Sequence, residues 1–192
     1  MSYQWDVFIS YRRADPIEGW VQRILKPEIA RWLHGHGGVS EPRIFLDTDA
    51  RPEASSSEWP QHLRDALATS KVIVPVLSPE YFTSRWCLAE LLNMRRRERD
   101  TGRRVVYAVQ FSDGDFYPEE HRGLSWRPFE RYTRYRRPSQ LPSSFIAEVQ
   151  ALCKELGTCC DRAPDFNPTW SMEIDLPKVV ESPRRLPRFR DE

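Results

Sequence analysis

Val72-Ile73-Val74-Pro75-Val76-Leu77 is an unbroken apolar run, and a soluble chain has few ways to hide one. A strand with one wet face alternates apolar with polar residues, so a continuous run marks a strand covered on both faces, as in a parallel sheet between two layers of helices. The run turns at Ser78-Pro79 and enters a segment of helical spacing in which Trp86, Leu88, Leu91 and Leu92 fall roughly on one side. Within that helix a single acid, Glu90, stands between Ala89 and Leu91, where a purely structural helix would carry a small or apolar residue. A carboxylate just past the carboxyl end of a central strand lies where open α/β sheets form their ligand crevice. Glu90 is therefore the candidate reactive group.

The flanking sequence supplies the other strands and helices of such a sheet. Trp5 to Tyr11 is aromatic and β-branched, as strands are. After a polar turn at Arg12 to Pro16, the residues Trp20, Val21, Ile24, Leu25, Ile29, Trp32 and Leu33 recur at helical spacing until His34-Gly35-His36-Gly37-Gly38 stops them. Arg43 to Asp47 is a second strand, and Thr48 to Ser57 is a polar loop. Glu58 to Thr69 is a second helix. Gly102 ends the helix that carries Glu90, and Arg104 to Gln110 reads as a fourth strand. Phe129 to Tyr132 is a candidate edge strand, with Trp126 and Phe129 as candidates for the crevice rim. Leu141 to Leu156 is a last helix stopped at Gly157. Strands alternating with helices through short joints predict an α/β fold, a central parallel sheet of four to five strands covered by helices on both faces. Residues 1–157 make one domain, and residues 158–192 form a proline-rich tail that can pack back through Phe166, Trp170 and Met172.

Composition narrows the function. Across 192 residues the net charge is +1, with hydrophobic residues at 40% and charged residues at 30%, which excludes both a disordered chain and an electrostatic binder of nucleic acid. Cys87, Cys153, Cys159 and Cys160 lack the paired spacing of a zinc site, so no metal is expected and reduced cytoplasmic thiols are. Cys87 is expected to be an inert buried thiol. No apolar run approaches the ~18–20 residues that span a bilayer. His34 and His36 belong to a helix stop, and Arg95-Arg96-Arg97 reads as a solvated helix end that complements the helix dipole.

Three stretches resemble the Toll/interleukin-1 receptor (TIR) domain. Asp6-Val7-Phe8-Ile9-Ser10-Tyr11-Arg12-Arg13 is similar to that family's opening strand and the loop after it. Ile44-Phe45-Leu46-Asp47 is similar to its second strand, which leads into the variable BB loop, here about Thr48 to Glu58. Val76-Leu77-Ser78-Pro79-Glu80-Tyr81 with Ser84-Arg85-Trp86-Cys87-Leu88-Ala89-Glu90-Leu91 is similar to its third strand and the helix bearing its glutamate. The likeness covers roughly residues 4 to 156 and implies a flavodoxin-like fold.

The resemblance also implies chemistry. Some members of the family only assemble signalling complexes; others cleave the nicotinamide–ribose bond of NAD+, and those carry a glutamate at the position of Glu90. It thus implies an NAD+ glycohydrolase or ADP-ribosyl cyclase with NAD+ as substrate and no cofactor, of the stand-alone bacterial type. Such proteins act in anti-phage defence, by a cyclic ADP-ribose isomer that a separate effector detects or by depleting NAD+. Ser10, Tyr11, Arg12 and Arg13 at the carboxyl end of the first strand are the candidate substrate contacts, since guanidinium groups suit a pyrophosphate and a tyrosine can stack on a ring. Asp47 and Trp86 complete that set, although a helix that must bury a face gives Trp86 a core role as well. The BB loop is the expected self-association surface. A non-catalytic TIR adaptor is the alternative; a phosphoryl-transfer protein is disfavoured because no glycine-rich loop follows the first strand.

Overall fold

In the structure, a computed structural model, residues 2–46, 61–112, 114–118, 121, 124–167 and 170 are described. Five strands form one sheet: β1 (Trp5–Tyr11), β2 (Ile44–Leu46), β3 (Ser70–Leu77), β4 (Ala108–Gln110) and β5 (Trp126–Pro128). Their order is β2-β1-β3-β4-β5, and every neighbouring pair is parallel. The two longest strands, β1 and β3, lie side by side inside the sheet, where Val7 pairs with both Ile44 and Val72. Six consecutive residues of β3, Val72 to Leu77, are buried. This is the two-sided cover that the apolar run predicts.

The first helical segment is interrupted. α1 (Ile17–Trp20) runs through a π-helical turn (Val21–Leu25) into α2 (Lys26–Gly35). Pro27 explains the adjustment: it has no N–H to give the Arg23 carbonyl, and the wider turn closes instead from the Lys26 N–H to the Val21 carbonyl. α3 (Gln61–Ala68) and α4 (Arg85–Thr101) follow β2 and β3, and α5 (Ser143–Asp161) packs against α2. α4 ends at Gly102 in the left-handed conformation, φ 64°, as a glycine C-cap does. The predicted apolar side of α4 holds for Leu88 and Leu91, which are buried, whereas Leu92 is exposed.

Three expectations need correction. β4 is shorter than Arg104 to Gln110, and Pro75 is the reason. The Ile73 N–H donates to the Val105 carbonyl and the Tyr107 N–H to the Ile73 carbonyl, so the next bond of the ladder would run from residue 75 to the Tyr107 carbonyl. Proline has no donor there. The pairing lapses to one isolated bridge, Ile73 with Val106, and resumes at Val76 with Val109. The edge strand is Trp126–Pro128 rather than Phe129 to Tyr132: Glu130–Tyr132 is a 3-10 turn, and Phe129 is fully buried in the core, off the crevice rim. Finally, α5 runs through Gly157 to Asp161. That glycine is a point of close approach, because a Cβ on it would overlap the Gly37 carbonyl.

Arg97 is also not solvated. It is buried, donates from Nη1 to the Ser70 carbonyl (2.7 Å) and from Nη2 to the Ala68 carbonyl (3.2 Å), and lies 4.2 Å beneath the Trp170 ring. Burial lowers its pKa to about 10. Trp170 and Phe166 pack around Tyr3, whose hydroxyl donates to the Pro164 carbonyl. The segment after α5 thus returns to the start of β1 through Phe166 and Trp170; Met172 lies outside the described residues.

At that same end of the sheet Asp6 is buried between Lys71 (2.8 Å) and Arg43, whose backbone N–H it also accepts. Burial works to raise the Asp6 pKa, but the Lys71 hydrogen bond, the Arg43 N–H and both cations together hold it below the ordinary value. A carboxyl depressed in the folded state adds stability above its unfolded pKa of about 3.9 and loses it as pH falls through its folded value. Asp6→Asn should therefore lower the melting temperature at pH 7 and flatten the acid side of a plot of melting temperature against pH. Gly157→Ala should cost about 1–3 kcal/mol in urea denaturation, because the Gly37 backbone must move to admit a methyl group.

Candidate active site

The site is assembled by three neighbouring chain segments. β1 and β3 run side by side with Ser10 opposite Pro75 and Tyr11 opposite Val76, so both strands end at the same level. Beyond β3 the chain makes a tight turn in which the Tyr81 N–H donates to the Ser78 carbonyl (3.0 Å) and lies 3.2 Å from the Ser78 hydroxyl. A 3-10 turn (Tyr81–Thr83) then delivers Ser84 as N-cap of α4, its hydroxyl accepting from the Cys87 N–H. Glu90 follows within the first two turns of the helix, 1% exposed.

Glu90 meets Ser10 across 80 residues of sequence. The Ser10 hydroxyl donates to Glu90 Oε2 at 2.5 Å, a length typical of a hydroxyl bonded to a carboxylate. Ser10 Oγ is also 2.9 Å from the Tyr81 hydroxyl, which lies 3.0 Å from the Cys87 carbonyl and can donate to it. Ser10, Tyr81 and Cys87 are all buried.

The other expected residues divide around this pair. Tyr11 follows Ser10 in β1, and successive strand residues face opposite sides of a sheet; its hydroxyl is bonded to Gln22 of the π-helical turn and to Arg13, on the face away from Glu90. Burial raises the Tyr11 pKa, against the pull of those two hydrogen bonds. Arg12 and Arg13 are half-buried just past the end of β1. Arg13 is committed to Tyr11, whereas Arg12 makes no hydrogen bond or ion pair with a described residue. Trp86 is half-buried against the core, one helical turn before Glu90 and on the same face of α4. Asp47 and the loop Thr48 to Glu58 lie outside the described residues.

Sequence reasoning did not single out Tyr81. Nothing local marks it, since its partner Ser10 is 71 residues away. Among the described residues no group of His, Cys, Asp and Glu side chains is arranged to hold a metal ion, and no helix is long and apolar enough to cross a membrane. A groove of about 440 Å³ lies along the other end of α4, lined by Arg95, Glu98, Arg99, Arg103 and Arg104, and Glu90 does not line it.

The order of strands, the Ser84-capped helix and its buried glutamate can be compared with known proteins. A family profile described as the TIR domain matches residues 7–140. The chain belongs to the TIR domain family. It is 27% identical to the disease resistance protein TAO1 of Arabidopsis thaliana over 158 residues, 77% of this chain and 12% of that protein. It is 29% identical to the disease resistance protein RPP2B of the same plant over 113 residues, 57% of this chain and 8% of that protein. This TIR chain therefore spans only about a tenth of the length of those relatives. Among solved structures it is similar to the TIR domains of the activated Roq1 resistosome recognising the effector XopQ, at 14% identity and TM-score 0.42 over 81% of this chain and 84% of that one.

The cap of α4 sets where Glu90 stands. Ser84→Ala should cost about 1 kcal/mol in denaturant unfolding, through loss of the bond to the Cys87 N–H.

Proposed function

We propose that this TIR domain cleaves NAD+ at the bond between nicotinamide and ribose. The observation that carries the reading is the buried Glu90 carboxylate, held by Ser10 at the carboxyl ends of β1 and β3, at the position where the family's NAD-cleaving members have their glutamate.

The chemistry asks little of the protein. Nicotinamide leaves with the electron pair of the N-glycosidic bond and departs neutral, so no strong general acid is needed. Positive charge develops on the ribose, and a carboxylate beside it stabilises that charge as carboxylates do in glycoside hydrolysis. Glu90 takes this role in its ionised form. If water then adds at the ribose carbon and loses a proton, the product is ADP-ribose. If a nucleophile of the same molecule adds instead, the product is a cyclic isomer, lighter by one water. Arg12, with its guanidinium uncommitted to any described residue, suits the pyrophosphate; Trp86, on the face of Glu90, suits a ring of the substrate.

A pure adaptor has no use for such a glutamate. Burying a carboxylate costs several kcal/mol unless hydrogen bonds offset it, and a protein that only docks to others could carry an apolar residue there. The biological setting follows the relatives, which are plant disease resistance proteins: immunity, in bacteria defence against phage, with self-association through the loop from Thr48 to Glu58 and an effector that detects the product.

Purified protein incubated with NAD+, its products resolved by liquid chromatography and mass spectrometry, should release nicotinamide with a specific activity that rises with protein concentration. Glu90→Gln should lower the rate by at least about 10²-fold with the melting temperature preserved. A Glu90→Gln protein that turned over at the wild-type rate would refute the assignment.

A further inference from the structure

We propose that Ser10 and Tyr81 are positioning residues for Glu90: Ser10 holds Oε2 of the carboxylate in one orientation, and Tyr81 holds Ser10. The kinetic consequence rests on the NAD-cleaving reading; the chain of contacts rests on geometry alone.

The argument begins with a count of hydrogens. Three contacts link four groups: Glu90 to Ser10 at 2.5 Å, Ser10 to Tyr81 at 2.9 Å, and Tyr81 to the Cys87 carbonyl at 3.0 Å. An ionised carboxylate and a carbonyl only accept, and each hydroxyl brings one hydrogen. The Ser10 hydrogen must then point at Glu90, and the Ser10–Tyr81 contact can be a bond only if Tyr81 supplies the hydrogen. Two hydrogens cannot fill three contacts, so the single Tyr81 hydrogen serves either Ser10 or the Cys87 carbonyl, and where it serves Ser10 it polarises that hydroxyl toward the carboxylate.

Both residues are built to restrain. The last torsion of a glutamate is broad and nearly two-fold, so the helix backbone fixes where Glu90 begins but not the plane of its carboxylate. Ser10 supplies that missing restraint from a strand paired on both sides. A serine hydroxyl can itself rotate among three wells, and Tyr81 selects one. Its ring is fully buried and packs edge-on against Phe82 at 5.6 Å, leaving little freedom to the phenol. This gives Ser10 a different role from the direct substrate contact that the family resemblance implies. At 1% exposure, with its hydrogen committed to Glu90, it acts through the carboxylate.

The test is steady-state NAD+ cleavage by wild type, Ser10→Ala, Tyr81→Phe and the double variant, with Glu90→Gln as control and urea denaturation of every protein. Tyr81→Phe should lower kcat about fivefold to tenfold and leave KM within about twofold. Ser10→Ala should lower kcat further, and the double variant should be no slower than Ser10→Ala, because Tyr81 works through Ser10. A raised KM with unchanged kcat in Ser10→Ala would place Ser10 on the substrate and overturn the proposal, as would independent, multiplying losses in the double variant. An inactive Glu90→Gln beside a Tyr81→Phe of wild-type kcat would sink this inference and leave the NAD-cleaving reading standing. If the wild type releases no nicotinamide, that reading fails and the denaturation cycle decides the chain: non-additive unfolding free energies for Ser10 and Tyr81 uphold it, and additive ones overturn it.

Discussion

A carboxylate solvated by water loses that solvation when the chain closes over it, and the loss must be made good by hydrogen bonds placed in advance. Glu90 imposes this requirement on the carboxyl end of the sheet. Ser10 can answer it only because β1 and β3 are adjacent and end level, which brings the last residues of β1 under the first turns of α4. Tyr81 can take part only because the turn after β3 is tight, with its N–H tied back to Ser78. Strand order, strand ends and turn geometry thus converge on one side chain, and the same helix is anchored at its far end by Arg97 under Trp170.

How far the sequence reveals this depends on the range of the interaction responsible. Strands β1, β2 and β3 and helix α4 are legible because their signals are local: an apolar run, helical spacing, a glycine stop. Glu90 stands out for a local reason too, as a charge at a position its helix buries. The site around it is less legible. Ser10 and Tyr81 meet over 71 residues, and no periodicity encodes that pairing. One part was available and went unused: consecutive strand residues face opposite ways, so Ser10 and Tyr11 could not both face Glu90.

The misplaced elements have the same kind of cause. Gly157 resembles a helix stop in sequence, yet what it answers to is the backbone of Gly37, invisible until α2 and α5 pack. Arg97 belongs to a run of three arginines that suggests water, and only the return of Trp170 shows why the third is buried. The edge strand Trp126–Pro128 contains an arginine and a proline, and its half-exposed position needs neither an apolar run nor strict alternation.

Pro75 has a consequence for the sheet as a whole. On one side of it β1, β2 and β3 are joined in continuous register; on the other, the short strands β4 and β5 are attached through an interrupted ladder. The five strands are therefore not equally welded. A seam runs between the half that carries Ser10 and the half that ends at β5, and it is the line along which this sheet would first part. β1, β3 and the helix bearing Glu90 all lie on one side of that seam, so the carboxylate and its partners would stay together while the outer strands breathe.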